Sequence, residues 1–202
     1  MERLVESCKS NNKSASIELV FSNNSRASGL SFAKSNDIET SVIDHRIYEK
    51  REDFDYELDK KLRDSNIDFI CNAGFMRILS KDFVKNWYNK QLNIHPSLLP
   101  DFKGLNVHKR VIESKASISG CTVHLVRAGV DEGPIIGQTS TNVKSNDNEE
   151  ILANKVLKLE HILYPVCLKL FSDNLIKIND DEVIYSKEAI FRLDEINGRF
   201  DK

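Results

Sequence analysis

Short apolar runs rich in β-branched and aromatic residues alternate with segments of helical period along this chain. No other feature limits its fold as much. Ile17–Phe21, the stretch near Ser41–Ile43, Ile67–Cys71 and Gln91–Ile94 read as strands, as do Cys121–Val126 and Ile135–Thr139. Between them, Phe54, Leu58 and Leu62 repeat every four residues, the spacing of a helix face. Further helices are expected over Glu2–Lys9, from Ala27, over Lys81–Tyr88 and over Val107–Glu113. The longest helical pattern covers Glu149–Phe171, with Leu152, Val156, Leu159, Leu163, Val166 and Leu170 on one stripe and Asp147 with Glu150 as its expected N-terminal cap. Pro165 inside a short stripe argues for a helix packed on a sheet over a coiled coil. Ile176–Ile178 and Val183–Tyr185 suggest a hairpin about Asn179–Asp181. The expected architecture is α/β, a parallel-rich sheet with helices on both faces, in a single domain over residues 1–202.

A chain of 202 residues with 40% hydrophobic and 30% charged residues has the make-up of a globular protein with one core. The formal net charge of -2 supplies no general attraction for nucleic acid, and no nucleic-acid partner is expected. Cys8, Cys71, Cys121 and Cys167 are far apart and form no C-x-x-C pair, which points to a reducing compartment. No apolar run approaches the length of a membrane span, and residues 1–6 lack a secretory layout, so a cytoplasmic location is expected.

In an open α/β sheet, ligands bind beyond the carboxyl ends of strands. Two such ends stand out, Asn72–Leu79 and Leu92–Pro100. In the second, Asn93 and His95 are two apart and project from the same side of a strand that Pro96 stops. An amide can donate to a developing oxyanion, while an imidazole can donate or shuttle a proton near neutral pH. By itself the pair also suits a histidine that satisfies backbone at a strand end; the apolar, two-proline loop Pro96–Pro100 favours the functional reading. Asp131, in the turn Gly129–Pro134, is a carboxylate that could orient the histidine, although Asp and Gly are common in any turn. No H-E-x-x-H or cysteine cluster provides a metal ligand set, and His45, His108, His124 and His161 read as scattered; no metal is expected. Ser97 lacks a G-x-S-x-G elbow, and neither phosphate-loop nor dinucleotide glycine motifs occur.

Three segments together, AGFMRIL (73–79), LNIHPSLLP (92–100) and GCTVHLVRAGVDEGPII (120–136), closely resemble the phosphoribosylglycinamide formyltransferase family of folate-dependent enzymes. The similarity runs collinearly from Met1 to about Phe171. It implies a Rossmann-like formyltransferase fold and a one-carbon transferase of purine synthesis. This enzyme would move a formyl group from 10-formyltetrahydrofolate, a co-substrate, to the amine of glycinamide ribonucleotide, without a metal. By motif, Asn93 would bind the formyl oxygen, His95 would be the proton donor, and Asp131 would raise the histidine pKa. The resemblance sets the folate against Arg51, Met76, Arg77, Ile78 and Leu79, and against Arg127, Ala128, Gly129 and Val130. It assigns Gly74, Pro96 and Glu160 to the other substrate, with Glu160 on the ribose hydroxyls; read alone, Glu160 is a helix surface residue. Lys103–Val107 differs from the Arg-Gly-Ala-Ala-Pro-like stretch of methionyl-tRNA formyltransferases.

The family normally opens with an apolar strand and a Gly-Ser-Asn loop that cradles a phosphate at a helix N-terminus. Met1 falls just past that point, so the first strand is expected to be missing, leaving an interrupted sheet, and Met1 reads as an internal methionine. Arg127–Gly129 replaces residues that are more often acidic in the family, which bears on the shape of the folate loop. A folate-binding remnant with poor catalysis, or a formyltransferase for another amine, are the alternative functions.

Overall fold

The computed structural model describes residues 1–10 and 14–200. Strands and helices alternate as expected for the α/β class, and by its internal packing the chain divides into two compact units, Met1–Gln91 and Leu92–Lys202.

The first unit contains α1 (Glu2–Ser10), β1 (Leu19–Ser22), α2 (Ser28–Lys34), β2 (Glu39–Val42), α3 (Arg51–Asp64), β3 (Ile70–Asn72) and α4 (Lys81–Asn86). Its core is built by the four-residue spacing on α3. Phe54, Leu58 and Leu62 meet Phe83 and Trp87, and Leu19, Phe21, Ile70, Phe75 and Leu79 close around them. Each large side chain fully buried here stabilises the unit by about 1.5–3 kcal/mol. Trp87 keeps its indole hydrogen satisfied on Asp59 Oδ1 at 2.7 Å. β1 pairs in parallel with β2, and these two strands form a sheet of their own, separate from the sheet of β3. The interruption of the sheet is therefore present.

Several boundaries differ from the sequence reading. Ile67 is not yet strand: its N–H caps α3 by donating to the Leu62 carbonyl at 3.0 Å, and β3 begins at Ile70. The helix from Lys81 ends at Asn86, with Trp87 as its C-cap and Tyr88 N–H on the Lys85 carbonyl in a tightened last turn.

The second unit holds β4 (Gln91–His95, which starts at the unit boundary), α5 (Val107–Glu113), β5 (Ile118–Leu125), β6 (Ile135–Asn142), α6 (Glu149–Ser172), the hairpin β7 (Ile176–Asn179) and β8 (Glu182–Tyr185), and α7 (Lys187–Phe200). β5 lies between β4 and β6, antiparallel to both. The apolar stripe of α6, including Leu152, Val156, Leu159, Leu163 and Leu170, is fully or almost fully buried. Gly137 on β6 admits this packing, since an added Cβ would sit 3.0 Å from Cys167 Sγ and 2.9 Å from Leu193 Cδ2. The cap of α6 is Asn148, whose side chain accepts from Ile151 N–H at 2.8 Å. Asp147, expected in that role, instead accepts from Lys144 N–H and pairs with Lys155. α7 was not legible in the sequence: its stripe is short and its polar residues dominate. No helix among the described residues is long and apolar enough to cross a membrane.

Candidate active site

Asn93 and His95 stand on β4 opposite His124 and Thr122 of β5. Period-two alternation puts all four on one face of the sheet. The loop that leaves His95 is tied back to this face. Thr122 Oγ1 donates to the Ser97 carbonyl at 2.6 Å and accepts from Leu99 N–H at 3.0 Å, and Gln138 Nε2 donates to the Leu99 carbonyl at 2.9 Å. Gly120 makes the fit possible, because a Cβ there would lie 2.1 Å from the Thr139 carbonyl oxygen and 2.9 Å from Leu98 Cδ2. The apolar Pro96–Pro100 loop is thus a packed wall beside His95, and its final peptide, Leu99–Pro100, is cis.

Asp131 reaches His95 from the turn between β5 and β6. Its φ of 53° is left-handed, a conformation that Asp tolerates better than most residues. Asp131 Oδ2 lies 3.3 Å from His95 Nδ1 and accepts from Gly104 N–H at 2.9 Å, while Oδ1 lies 3.5 Å from His124 Nε2. The side chains of His95 and Asp131 are 7% and 10% exposed, so this contact is made away from bulk water. On the other edge of the ring, His95 Nε2 donates to the Phe102 carbonyl at 3.0 Å.

Burial pulls the His95 pKa below its ordinary value, against the Phe102 carbonyl and Asp131, which both raise it. The carboxylate therefore acts in the expected direction, but desolvation outweighs it. For Asp131 the largest influence, burial, raises the pKa; His124 and His95 in their charged forms, together with the Gly104 N–H, overcome it and hold the carboxyl below the usual range. The resting pair is thus a neutral imidazole beside an ionised carboxylate, which suits a group that must first accept a proton and then release it.

His124, which the sequence suggested was one of several scattered histidines, belongs to this cluster. It is 2% exposed, and its Nδ1 faces the Leu125 carbonyl at 2.9 Å; a carbonyl only accepts, so Nδ1 carries the hydrogen. In the neutral ring Nε2 then accepts from Asn93 Nδ2, 3.2 Å away. This fixes the Asn93 amide as a donor and leaves its second N–H for a ligand. The register of β5 against β4 is unbroken, which sets His124 directly opposite Asn93; the irregularity between Val123 and His124 lies on the β6 side, where Ile136 is the extra residue. The available signal was the x-His alternation of Thr122–His124 opposite Asn93–His95, which needs the strand register to be read.

The formyl transferase family model matches residues 1–168. This chain belongs to the formyl transferase family. Phosphoribosylglycinamide formyltransferase of Escherichia coli (strain K12) is 34% identical over 181 residues, which are 90% of this chain and 85% of that protein. The human trifunctional purine biosynthetic protein adenosine-3 is 41% identical over 189 residues, 93% of this chain but 19% of that protein, so the chain spans about a fifth of the length of such relatives. Among solved structures, phosphoribosylglycinamide formyltransferase from Anaplasma phagocytophilum superposes with a TM-score of 0.85 at 39% identity, covering 93% of this chain and 88% of that one. Glycinamide ribonucleotide transformylase 1 from Symbiobacterium toebii gives a TM-score of 0.89 at 34% identity, covering 92% and 88%. The fold is the Rossmann-like one of these formyl transferases.

The other expected site residues fall into the two units. In the first, Arg51 opens α3, and Gly74 has a φ of +70° with open space where a Cβ would be. Met76 and Ile78 point outward, 73% and 54% exposed. Arg77 and Leu79 point inward, the Arg77 guanidinium 4.9 Å over the Phe54 ring and Leu79 against the core. A contact from either of these two to a ligand outside the loop would come through the backbone. The loop is pinned by Asp55, 2% exposed, whose Oδ2 accepts from Ser80 N–H at 2.5 Å. In the second unit, Pro96 follows His95 directly, and Ala128 and Val130 are exposed on the Asp131 turn while Gly129 is half-buried. The Arg127 side chain is engaged by Asp181 and by its neighbour's carbonyl, Val126 O.

Glu160 is half-buried on α6, and burial pushes its carboxyl up to about 7 from 4.5. Between those values the folded chain holds a proton that the unfolded chain has released. Stability therefore declines as pH rises through that window, by up to about 3 kcal/mol. In Glu160→Gln this slope is expected to flatten, as urea midpoints measured at about pH 5 and about pH 8 would reveal. An unchanged slope would assign the pH dependence to other groups.

Proposed function

We propose that this chain transfers the formyl group of 10-formyltetrahydrofolate to the amine of glycinamide ribonucleotide, and that both units serve one formyltransferase domain. The observation that carries this reading is the contact of His95 Nδ1 with Asp131 Oδ2 at 3.3 Å, with Asn93 held as a donor on the same strand face. The likeness to phosphoribosylglycinamide formyltransferase of Escherichia coli supports the choice of acceptor, and the likeness to the trifunctional purine biosynthetic protein supports a place in purine synthesis.

The substrate amine attacks the formyl carbon, and the carbonyl electron pair moves onto oxygen, where the free N–H of Asn93 stabilises it. His95, neutral at rest, takes the proton that the amine nitrogen loses, and Asp131 stabilises the imidazolium so formed. As the bond from carbon to the folate nitrogen breaks, the same proton passes to that nitrogen, and the oxygen pair re-forms the carbonyl. The Nε2 edge does this work, because Nδ1 faces Asp131: when substrate takes the place of the Phe102 carbonyl, the single hydrogen of the neutral ring stands on Nδ1 toward Asp131, and Nε2 presents its lone pair to the amine. Arg51, the exposed Met76 and Ile78, the backbone of Arg77 and Leu79, and the 127–130 segment are the proposed folate contacts. Gly74, Pro96 and Glu160 are the proposed contacts of the ribonucleotide.

The test is an absorbance assay of folate turnover with purified chain and a panel of amines. Glycinamide ribonucleotide is expected to react fastest. Faster turnover with another amine, such as an amino sugar nucleotide, would overturn the substrate assignment. Tight binding of a folate analogue with no turnover at high acceptor concentration would make the chain a binding remnant instead.

A further inference from the structure

The family model ends at residue 168, yet the elements beyond it reach back to the turn that carries Asp131. β7 and β8 are joined by Asp180 and Asp181, both with positive φ, 44° and 67°. That is the backbone twist a two-residue hairpin turn requires. It presents the Asp181 carboxylate to Arg127, where Oδ1 accepts from Nε at 2.9 Å and from Nη2 at 2.5 Å. The third arm of the same guanidinium, Nη1, donates to the Val126 carbonyl at 2.9 Å. From the other end of the hairpin, the Tyr185 hydroxyl donates to the Ile135 carbonyl at 2.8 Å. Arg127 and Ile135 are the two ends of the segment in which Asp131 stands.

That segment has little slack. Gly133 passes so close to β5 that a Cβ would lie 1.7 Å from the Leu125 carbonyl oxygen. Its far side is held by Gly104 N–H on Asp131 Oδ2 and by Lys103 on Glu132 at 3.1 Å. The near side is held by the hairpin. The Arg127 side chain is 12% exposed and that of Asp181 53%, so the pair adds little to global stability, as wet ion pairs generally do. Its effect is geometric: three guanidinium nitrogens are fixed on two acceptors, and reaction rates are sensitive to small displacements of a group in the reacting constellation.

We propose that the β7–β8 hairpin is a brace for the Asp131 turn, and that Asp181, acting through Arg127, is a positioning residue for the His95–Asp131 pair. The inference rests on the formyl-transfer reading for its kinetic consequence but not for its structural one. It gives the Arg127 side chain the role of a strut, leaving its backbone to face any folate.

The experiment compares the full chain with Asp181→Ala, Asp181→Glu and the exchanged pair Arg127→Asp with Asp181→Arg. In Asp181→Ala, kcat is expected to fall about three- to fivefold, as befits the loss of one partly exposed ion pair, with KM values changed less. The His95 ring, followed by NMR of its C2 proton, is expected to titrate at lower pH, because a displaced Asp131 supports the imidazolium less well. The thermal midpoint should move little. Asp181→Glu should restore kcat and the His95 titration, and the exchanged pair should restore part of both. The proposal is overturned if Asp181→Ala keeps the wild-type kcat and His95 titration, whatever its thermal midpoint, or if Asp181→Glu is as impaired as alanine. The NMR titration needs no turnover. If the wild-type chain transfers no formyl group while Asp181→Ala still shifts the ring, the brace stands and the reaction assignment falls.

Discussion

Replacing His95 with alanine is expected to lower kcat by about 10²- to 10⁴-fold, the range for removal of a positioned acid or base. The affinity for a folate analogue should stay within a few-fold of wild type, since the folate contacts proposed above are other residues. The argument is one of proton balance. The amine must lose a proton and the departing folate nitrogen must gain one, and His95 is the titratable group with a nitrogen that can be turned from a backbone carbonyl to substrate. Because burial lowers its pKa below 6.5, the ring is neutral at physiological pH and ready to accept. Activity should therefore fall on the acid side, as the ring becomes protonated before substrate arrives. Single-turnover rates against pH, with binding measured separately, decide the matter. A His95→Ala chain with near wild-type kcat, or a wild-type profile without an acid limb, would remove His95 from the mechanism.

The second large effect is expected from Asp131→Asn. Asparagine has almost the same shape but no charge, and orienting carboxylates of this kind can be worth up to about 10⁴ in rate elsewhere. A loss of about 10²-fold or more in kcat is expected here, with folate affinity again largely kept. Two further signatures separate this role from simple packing. The acid limb of the pH–rate profile should move to lower pH, because the imidazolium loses its counter-charge. The stability of the folded chain at acid pH should also lose a dependence. The Asp131 pKa is lowered in the fold, so its ionised form adds stability above about pH 4, lost as pH falls further; asparagine lacks that contribution. Asp131 also accepts from Gly104 N–H and faces His124, so some loss of overall stability accompanies the substitution. Urea denaturation at neutral pH measures that part and lets the rate be corrected for folded fraction. Near wild-type turnover would show that the carboxylate does not serve His95.

Much of the fold was legible because its signals are local. The four-residue spacing of Phe54, Leu58 and Leu62, and the stripe from Leu152 to Leu170, survive as the buried faces of α3 and α6. The hairpin about Asn179–Asp181 was readable from two short β-rich runs and a polar turn. Ends were read less well. Ile67 looks like strand by composition but is consumed in closing α3, and Asn148, not Asp147, caps α6. In each case a backbone N–H chose its acceptor by geometry that neighbouring residue types do not specify.

Within the site, the two-residue spacing alone put Asn93 and His95 on one face of a strand that ends in a proline loop, because alternation along a strand needs no tertiary contact. Asp131 was readable as a candidate carboxylate in a turn, and the motif resemblance favoured that role over ordinary turn chemistry. What it could not supply was distance in space. The antiparallel register of β5 against β4 brings His124 onto Asn93, and the left-handed Asp131 turn closes on His95. The hairpin's hold on Arg127 is likewise a contact between residues 54 apart. Such meetings are decided by packing of the whole unit, since long-range proximity follows from how elements bury their faces together and not from any local run of side chains.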